Sequence, residues 1–412
     1  MSPRLPSLTF SIAALVLIAS GFTLLVYNRP PTVVTLQKVE APSTSTPALG
    51  RSPTGEAQAA AANTGFEVPP PPPPATSTPK RTPVTLGRSP TGEATTATTV
   101  IKKTAAKQPV VAQRQPDNQV LRIKNPYSYA PVPFESINAI TRPALVNILC
   151  TPRNSGSLSP ISGSGVIIDQ RGVILTNAHV AQYVLLAQSA HIDLSCIIRT
   201  GAPAIARWRV EILYIPPVWV EAHAHEVTSE RPTGTGEHDY ALLRITSSVD
   251  GTPLPTPFSY LPFDTREAIG FKDDSVLAVS YPAEFLASAA QFNLYPAASV
   301  TTIGQLMTFA TKTVDLISLG GIIEAQGGSS GGAVVNAWGM LIALISTTSE
   351  GDTTATRDLR AITMSYIDRD LAAQTRFDLA TTLGGDIALE ALDFNTHIAP
   401  RLIDLYLAQL AK

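Results

Sequence analysis

The stretch Gln326-Gly327-Gly328-Ser329-Ser330-Gly331-Gly332-Ala333 places a serine among glycines. Glycine lets a backbone turn sharply, so that the turn presents a hydroxyl. The backbone N–H groups of Gly328 and Ser330 would then point at one spot beside that hydroxyl. Two such donors form an oxyanion hole, where each is worth roughly 2.7–4 kcal/mol of transition-state stabilisation. The stretch therefore predicts a nucleophilic serine, Ser330, with its own oxyanion hole.

Two segments upstream supply the other groups that such a serine needs. A nucleophilic serine requires a base that takes its proton and a carboxylate that orients the base. Thr176-Asn177-Ala178-His179-Val180 contains the imidazole of His179, and the run His238–Ile245 contains the carboxylate of Asp239. His238 is kept out of this group, because neighbouring side chains of a strand face opposite ways.

These segments together resemble the trypsin-fold serine proteases, and within them the HtrA-like branch. The resemblance rests on three runs in family order, which are Gly163–His179, Asp239–Ile245 and Gly328–Gly332, and it covers roughly residues 140–375. It implies two antiparallel β-barrels, with a triad of His179, Asp239 and Ser330 in the cleft between them. It also implies a serine endopeptidase that cleaves polypeptide substrates without a cofactor.

The chain departs from the HtrA-like pattern at the serine turn. Ser329 stands where that branch usually carries Asn or Asp. The shorter side chain would hold the turn less firmly, so one hypothesis is an oxyanion hole that forms only when substrate or an activator binds. Members of the branch often carry a PDZ domain after the protease, and none is predicted here. A catalytically silent trypsin-fold binding or chaperone module is therefore an open alternative.

Two residues are candidates for substrate specificity. Glu324 lies six residues before Ser330, where trypsin-like enzymes have the base of the primary specificity pocket. A carboxylate there favours Lys or Arg at the cleaved position, whereas HtrA-like members usually have a small residue. A solvated loop glutamate is the alternative for Glu324. Ser346 is the second specificity candidate.

Short apolar runs separated by turn residues predict two groups of six strands. The first group comprises residues 145–150, 164–168, 173–176, 192–199, 208–215 and 240–245, and the second comprises residues 275–281, 299–307, 313–318, 333–336, 340–346 and 359–364. Two groups joined by a proline-rich linker predict an all-β fold of two six-stranded barrels over residues 131–375. Residues 376–412 have helical spacing and predict a tail that packs on the barrels or contacts a partner or a second copy.

The two cysteines, Cys150 and Cys196, lie on predicted strands on either side of the histidine segment. If these strands are neighbours, the cysteines form a disulfide, which an exported protein permits. Two buried free thiols are the alternative. His223 and His225 alternate in a way that would place both rings on one strand face, but no third ligand is evident and no metal site is predicted.

The N-terminal region predicts a membrane anchor. Leu8–Tyr27 is an uncharged, mostly apolar run that as a helix would rise about 30 Å, enough to cross a bilayer. Arg4 precedes it, which places the N-terminus in the cytoplasm. We therefore predict a signal anchor over residues 1–28, with a cleaved signal peptide as the alternative. Both export the rest of the chain.

Residues 29–130 predict a disordered linker rich in Pro, Thr and Ala. The nine residues Leu49–Ala57 recur at Leu86–Ala94, either as a duplication within a spacer or as a docking motif or glycosylated stalk. The formal net charge of −2 gives no indication of a nucleic-acid partner. The sequence as a whole predicts a single-pass membrane protein with an extracytoplasmic serine endopeptidase that acts in protein quality control. Assembly as a homo-oligomer is left open. A surface stalk protein with a ligand-binding head is a further alternative.

Overall fold

The computed structural model describes residues 123, 125–153, 158–229, 234–267, 269–309, 312–349 and 351–411. The membrane anchor and the nine-residue repeat predicted from the sequence lie outside these residues. Among the helices that are described, none combines the length and the apolar character needed to cross a bilayer.

The first six strands form a closed antiparallel barrel in the order β1-β2-β3-β6-β5-β4. The strands are β1 (Leu145–Pro152), β2 (Ile161–Asp169), β3 (Val173–Thr176), β4 (Leu194–Thr200), β5 (Ile205–Tyr214) and β6 (Ala241–Ser248). All four residues of β3 are buried, as are the first four of β1, because the barrel wall is covered on both faces there. The predicted closed six-stranded barrel is confirmed for this half of the fold.

The second sheet has seven strands in the order β8-β7-β11-β12-β13-β10-β9. They are β7 (Ser275–Ser280), β8 (Ala297–Thr302), β9 (Leu306–Met307), β10 (Leu316–Gly320), β11 (Ala333–Asn336), β12 (Leu341–Thr348) and β13 (Leu359–Thr363). No ladder joins the two edge strands, so this sheet is a half-barrel. The prediction of a second closed six-stranded barrel is wrong.

The predicted second barrel and the observed half-barrel differ within residues 299–307, where a single strand was predicted. The chain leaves the ladder after β8 and re-enters it as β9, and residues 303–305 connect these two edges of the sheet. The Gly304 N–H bonds to the Ser318 carbonyl at 2.8 Å. A Cβ at Gly304 would come within 3.3 Å of the Ser318 hydroxyl, so glycine permits this close crossing. A connecting segment rather than a strand pair therefore joins the two edge strands, and the sheet stays open.

Within the described residues, seven helices surround the sheets. They are α1 (Phe134–Thr141), α2 (Ala178–Leu186), α3 (Pro217–His223), α4 (Met364–Thr375), α5 (Leu379–Gly384), α6 (Ile387–His397) and α7 (Ala399–Leu410), with short 3₁₀ helices over Arg142–Ala144, Ala224–Glu226, Glu284–Gln291 and Thr354–Thr356. His223 ends α3 and stacks on Trp219 at 4.8 Å between ring centroids. The idea that His223 and His225 share a strand is therefore wrong.

The C-terminal helices pack on the first barrel. Phe394 on α6 is buried and meets the Tyr214 ring edge-on at 5.9 Å. The Asn395 side chain donates to the Ile212 carbonyl of β5 at 2.7 Å, and Tyr406 on α7 is fully buried. The helical tail predicted from the spacing of its apolar residues is confirmed, and those residues cover the barrel.

A disulfide joins two neighbouring strands of the first barrel. Cys150 and Cys196 lie directly opposite each other in the β1–β4 ladder, and their sulfurs are 2.00 Å apart. The bond closes a chain segment with a sequence separation of 46 residues. This segment contains β2, β3 and α2, and therefore also His179.

Replacing both cysteines by alanine should lower the free energy of unfolding by up to about 4 kcal/mol, since the unfolded chain loses a cross-link across this segment. Urea denaturation of the oxidised wild type and of Cys150→Ala/Cys196→Ala measures the difference. Peptide mapping without reductant should recover the linked peptides. Two free thiols in the oxidised, folded protein would contradict the disulfide.

Candidate active site

His179 and Asp239 come together because their strands are paired. β3 and β6 run antiparallel, with Thr176 opposite Ala241. His179 follows β3 as the second residue of α2, and Asp239 precedes β6 by two positions. The end of one strand and the start of the other therefore lie side by side, and both residues sit at that edge of the first barrel.

The Asp239 carboxylate is buried and holds His179 by two hydrogen bonds. The His179 Nδ1 lies 2.8 Å from Asp239 Oδ2, and the His179 backbone N–H donates to Asp239 Oδ1 at 3.0 Å. The Ser346 hydroxyl donates to Oδ2 at 2.8 Å. Asp239 is only 4 % exposed. The imidazole, 28 % exposed, is thus fixed in orientation with its Nε2 side left available.

The charges of this pair shift both pKa values in opposite directions. Burial alone would raise the pKa of Asp239, but the His179 charge and the hydrogen bonds to the carboxylate outweigh it and lower the pKa. Burial alone would lower the pKa of His179, but the Asp239 charge and hydrogen bond raise it. The carboxylate therefore stays ionised and makes the imidazole a stronger base.

Ser330 lies in the turn before β11 and reaches this edge from the second sheet. Its hydroxyl donates to the Ser346 carbonyl at 3.3 Å, and within the described residues no hydrogen bond joins it to His179. Ser346 therefore contacts both Asp239 and Ser330. Hydrogen bonds between nucleophile and base are often long or absent without substrate. In the predicted triad, the hydrogen bond between His179 and Asp239 is therefore formed, whereas within the described residues none joins Ser330 to His179.

The turn that carries Ser330 leaves two N–H groups without acceptors. The amides of Gly327, Ser329, Gly331 and Gly332 all donate, to Glu284, Gln326, Ile345 and Ser329 respectively. The amides of Gly328 and Ser330 have no partner within the described part of the chain. Gly328 has a φ of +92°, a conformation that favours glycine. These two free donors are the pair that the sequence predicts for an oxyanion hole.

Ser329 supports the turn from within. Its side chain is 1 % exposed and accepts a hydrogen bond of 3.0 Å from the Ser280 hydroxyl of β7. A Cβ at Gly328 would lie 2.8 Å from atoms of Tyr281 and Ala283, so the turn is packed tightly against the segment that follows β7. These contacts count against the hypothesis that Ser329 leaves the turn loosely held.

Ser164 on β2 also belongs to this site, although no sequence pattern singled it out. Its hydroxyl receives the Tyr281 N–H and donates to the Gly328 carbonyl, both at 2.8 Å. Its backbone N–H donates to the Ser330 carbonyl at 2.7 Å. Ser164 thus joins the first barrel to the serine turn. A serine within a Gly-Ser-Gly strand has no sequence signal for this role, because its partners are more than 100 residues away.

Glu324 is buried, which rules out the alternative of a solvated loop glutamate. Its exposed fraction is 0 %, and neither carboxylate oxygen has a hydrogen-bond partner within the described structure. Burial raises the pKa of the Glu324 carboxyl. The nearby Ser299 side chain lowers this pKa in part, although it does not form a hydrogen bond of normal geometry with the carboxyl. An unpaired buried carboxyl is costly, which marks it as a candidate for binding a cationic group.

His238 lies next to Asp239 and faces the other way. Its Nδ1 is 2.9 Å from Asp370 on α4, and its backbone N–H donates to the Tyr366 hydroxyl at 2.9 Å. The His238 ring contacts α4, and within the described residues it makes no hydrogen bond to Ser330.

Residues 163–344 match the family model of the trypsin-like peptidase domain. The matched range contains His179, Asp239 and Ser330. Together with the closed barrel and the half-barrel, the match supports a trypsin-fold protease of the serine type. No curated protein matches the sequence.

The pKa of His179 should be raised above the usual value of about 6.5 for a histidine. The base must be neutral to accept a proton, so kcat/KM should fall as pH drops through this raised value. In an inactive Ser330→Ala protein, NMR should follow the same titration of the His179 ring. Adding Asp239→Asn should lower the midpoint, because the negative charge is lost. An equal midpoint with and without Asp239 would contradict this account.

Proposed function

We propose that this protein is a serine endopeptidase in which Ser330 is the nucleophile, His179 the general base and Asp239 the residue that orients the base. The observation that carries the proposal is the buried His179–Asp239 pair beside two N–H groups without acceptors in the serine turn. The trypsin-like match over residues 163–344 supports the same function.

In this mechanism the Ser330 hydroxyl attacks the carbonyl carbon of the scissile peptide bond, and His179 Nε2 takes its proton. Asp239 stabilises the resulting imidazolium. The N–H groups of Gly328 and Ser330 bind the oxygen on which negative charge develops. His179 then protonates the leaving amine, and an acyl-enzyme on Ser330 remains. Water, deprotonated by His179, hydrolyses this ester and restores the free hydroxyl.

We also propose that Glu324 binds the side chain of the residue before the cleaved bond. A lysine or arginine in contact with the carboxyl would provide the partner that Glu324 lacks in the free protein. Ser346 remains a proposed specificity residue, and its contacts with Asp239 and Ser330 give it a second role in orienting the triad.

The proposed setting is extracytoplasmic. The apolar run Leu8–Tyr27 supports a single-pass anchor that leaves the protease domain outside the cytoplasm, and the Cys150–Cys196 disulfide fits an oxidising compartment. The HtrA-like character of the three sequence motifs supports a role in protein quality control, with unfolded polypeptides as substrates and a homo-oligomer as a possible assembly.

A silent binding or chaperone module is the second candidate. The observation that favours it is the Ser330 hydroxyl, which bonds to the Ser346 carbonyl instead of His179. A silent module would keep the fold and bind polypeptides without cleaving them.

Ser330→Ala should lower casein hydrolysis by several orders of magnitude, because the nucleophile is lost while the fold is kept. Digestion by the full-length wild type and the variant is compared, with circular dichroism as the control for folding. A fluorophosphonate probe should label the wild type and not the variant. Equal digestion by both proteins would contradict the assignment, and a wild type that neither digests nor labels would favour the silent module.

Glu324→Gln should reduce the preference for Lys or Arg before the cleaved bond, since the carboxylate charge is lost. Cleavage of a peptide library by the two proteins gives the preference at that position. Total cleavage of peptides with uncharged residues there should change little. A wild type without any preference for basic residues would contradict the role of Glu324.

A further inference from the structure

The serine turn is held from outside by the segment that follows β7. Gly327 donates its N–H to Glu284 Oε2 at 2.8 Å. The Gly327 carbonyl accepts the N–H groups of Ala283 at 2.8 Å and Glu284 at 3.1 Å. Residues 283 and 284 therefore bind both polar groups of Gly327.

This anchoring sets the direction of one oxyanion-hole donor. The Gly327 carbonyl and the Gly328 N–H belong to one planar trans peptide and point to opposite sides of it. While the carbonyl is bound to residues 283 and 284, the Gly328 N–H faces the other way, and it has no acceptor within the described residues. Turning this peptide over would break both hydrogen bonds to the carbonyl and would direct an oxygen toward the place of the donor.

Arg357 fixes the Glu284 carboxylate in this position. The guanidinium donates through Nη1 to Oε2 at 2.7 Å and through Nη2 to Oε1 at 2.9 Å, a two-pronged pair. It also donates to the carbonyls of Ala325 at 3.1 Å and Gly351 at 3.0 Å. Arg357 therefore ties Glu284 to the serine turn and to the loop between β12 and β13.

The Glu284–Arg357 ion pair is partly shielded from solvent. The Arg357 side chain is 17 % exposed and that of Glu284 is 34 % exposed. The hydrogen bonds from Arg357 lower the pKa of the Glu284 carboxyl, so it remains an ionised acceptor for the Gly327 N–H. A two-pronged arginine–carboxylate pair restricts orientation more than a lysine would.

We propose that Glu284 and Arg357 are positioning residues of the oxyanion hole, which hold the Gly327–Gly328 peptide so that the Gly328 N–H is available to the developing oxyanion. This inference rests on the proposed peptidase function. Neither residue touches the reacting atoms. The Glu284 carboxylate, held by Arg357, binds the N–H of the Gln326–Gly327 peptide, so both side chains act through Gly327 on the adjoining peptide that carries the donor.

The test measures kcat and KM on one peptide substrate for Glu284→Ala, Glu284→Gln and Arg357→Ala. Glu284→Ala should lower kcat by about 10- to 100-fold with little change in KM, less than the 10²–10³-fold loss on removing a donor outright. Glu284→Gln should lie between it and the wild type, since the amide oxygen can still accept the Gly327 N–H. Arg357→Ala should resemble Glu284→Ala.

Glu211→Ala is the matched control. Glu211 on β5 pairs with Arg244 at 2.7 Å, and both side chains are partly exposed, at 29 % and 27 %. This pair makes no hydrogen bond to the serine turn, so kcat should stay within about twofold of the wild type. Melting temperatures of all variants separate loss of positioning from loss of folding. If Glu284→Ala does not fold, Glu284→Gln decides.

A second readout is the affinity for a peptide boronic acid, whose tetrahedral adduct on Ser330 places an oxygen in the hole. Its affinity should fall in Glu284→Ala by the same factor as kcat/KM, whereas the affinity of a cleaved product peptide should not. Exchanging the charges, in Glu284→Arg/Arg357→Glu, should not restore kcat, because the Gly327 N–H needs an acceptor at residue 284.

The outcomes separate this inference from the proposed function. An active wild type beside an equally active, folded Glu284→Ala would overturn the inference alone. Recovery of kcat in the charge-exchanged protein would mean that the pair acts only as an ion pair, without an acceptor for the Gly327 N–H. That result would also overturn the inference. A wild type that hydrolyses nothing would overturn the proposed function together with the inference.

Discussion

The site depends on the close approach of two backbones, that of Ser164 on β2 and that of the serine turn. The Ser164 N–H donates to the Ser330 carbonyl at 2.7 Å, across the boundary between the barrel and the half-barrel. A Cβ at Gly331 would lie 1.9 Å from the Ser164 carbonyl oxygen, a distance no side chain permits. Glycine at this position thus lets the sheet that carries Ser330 approach the barrel that carries His179 and Asp239.

Around this contact the site uses buried charges in two different ways. Asp239 is buried but fully engaged, because His179 and Ser346 donate to its oxygens and keep it ionised. Glu324 is buried, and its carboxylate oxygens have no hydrogen-bond partner among the described residues, so its charged form is disfavoured. The first arrangement suits a group that must stay charged throughout catalysis, and the second suits a group whose partner comes with the substrate.

The oxyanion-hole turn is supported by residues from several separate segments. Ser164 binds the Gly328 carbonyl, Ser280 bonds to the Ser329 hydroxyl, and Glu284 binds the Gly327 N–H. These contacts reach the turn from three different segments, and the Ser329 side chain takes part in one of them. The turn is held by its surroundings more than by its own side chains.

Patterns along the chain were enough to predict the strands of the first barrel, the serine turn and the proximity of His179 and Asp239. Apolar alternation and glycine placement are local properties, and they indicated β3, β11 and the disulfide partners closely. Only the tertiary structure decided that the second sheet stays open, that Glu324 is buried, and that Glu284 and Arg357 hold the turn. The Glu284–Arg357 support, for example, depends on contacts between residues 32 to 73 positions apart, and a pattern read along the chain carries no information about which distant side chains meet.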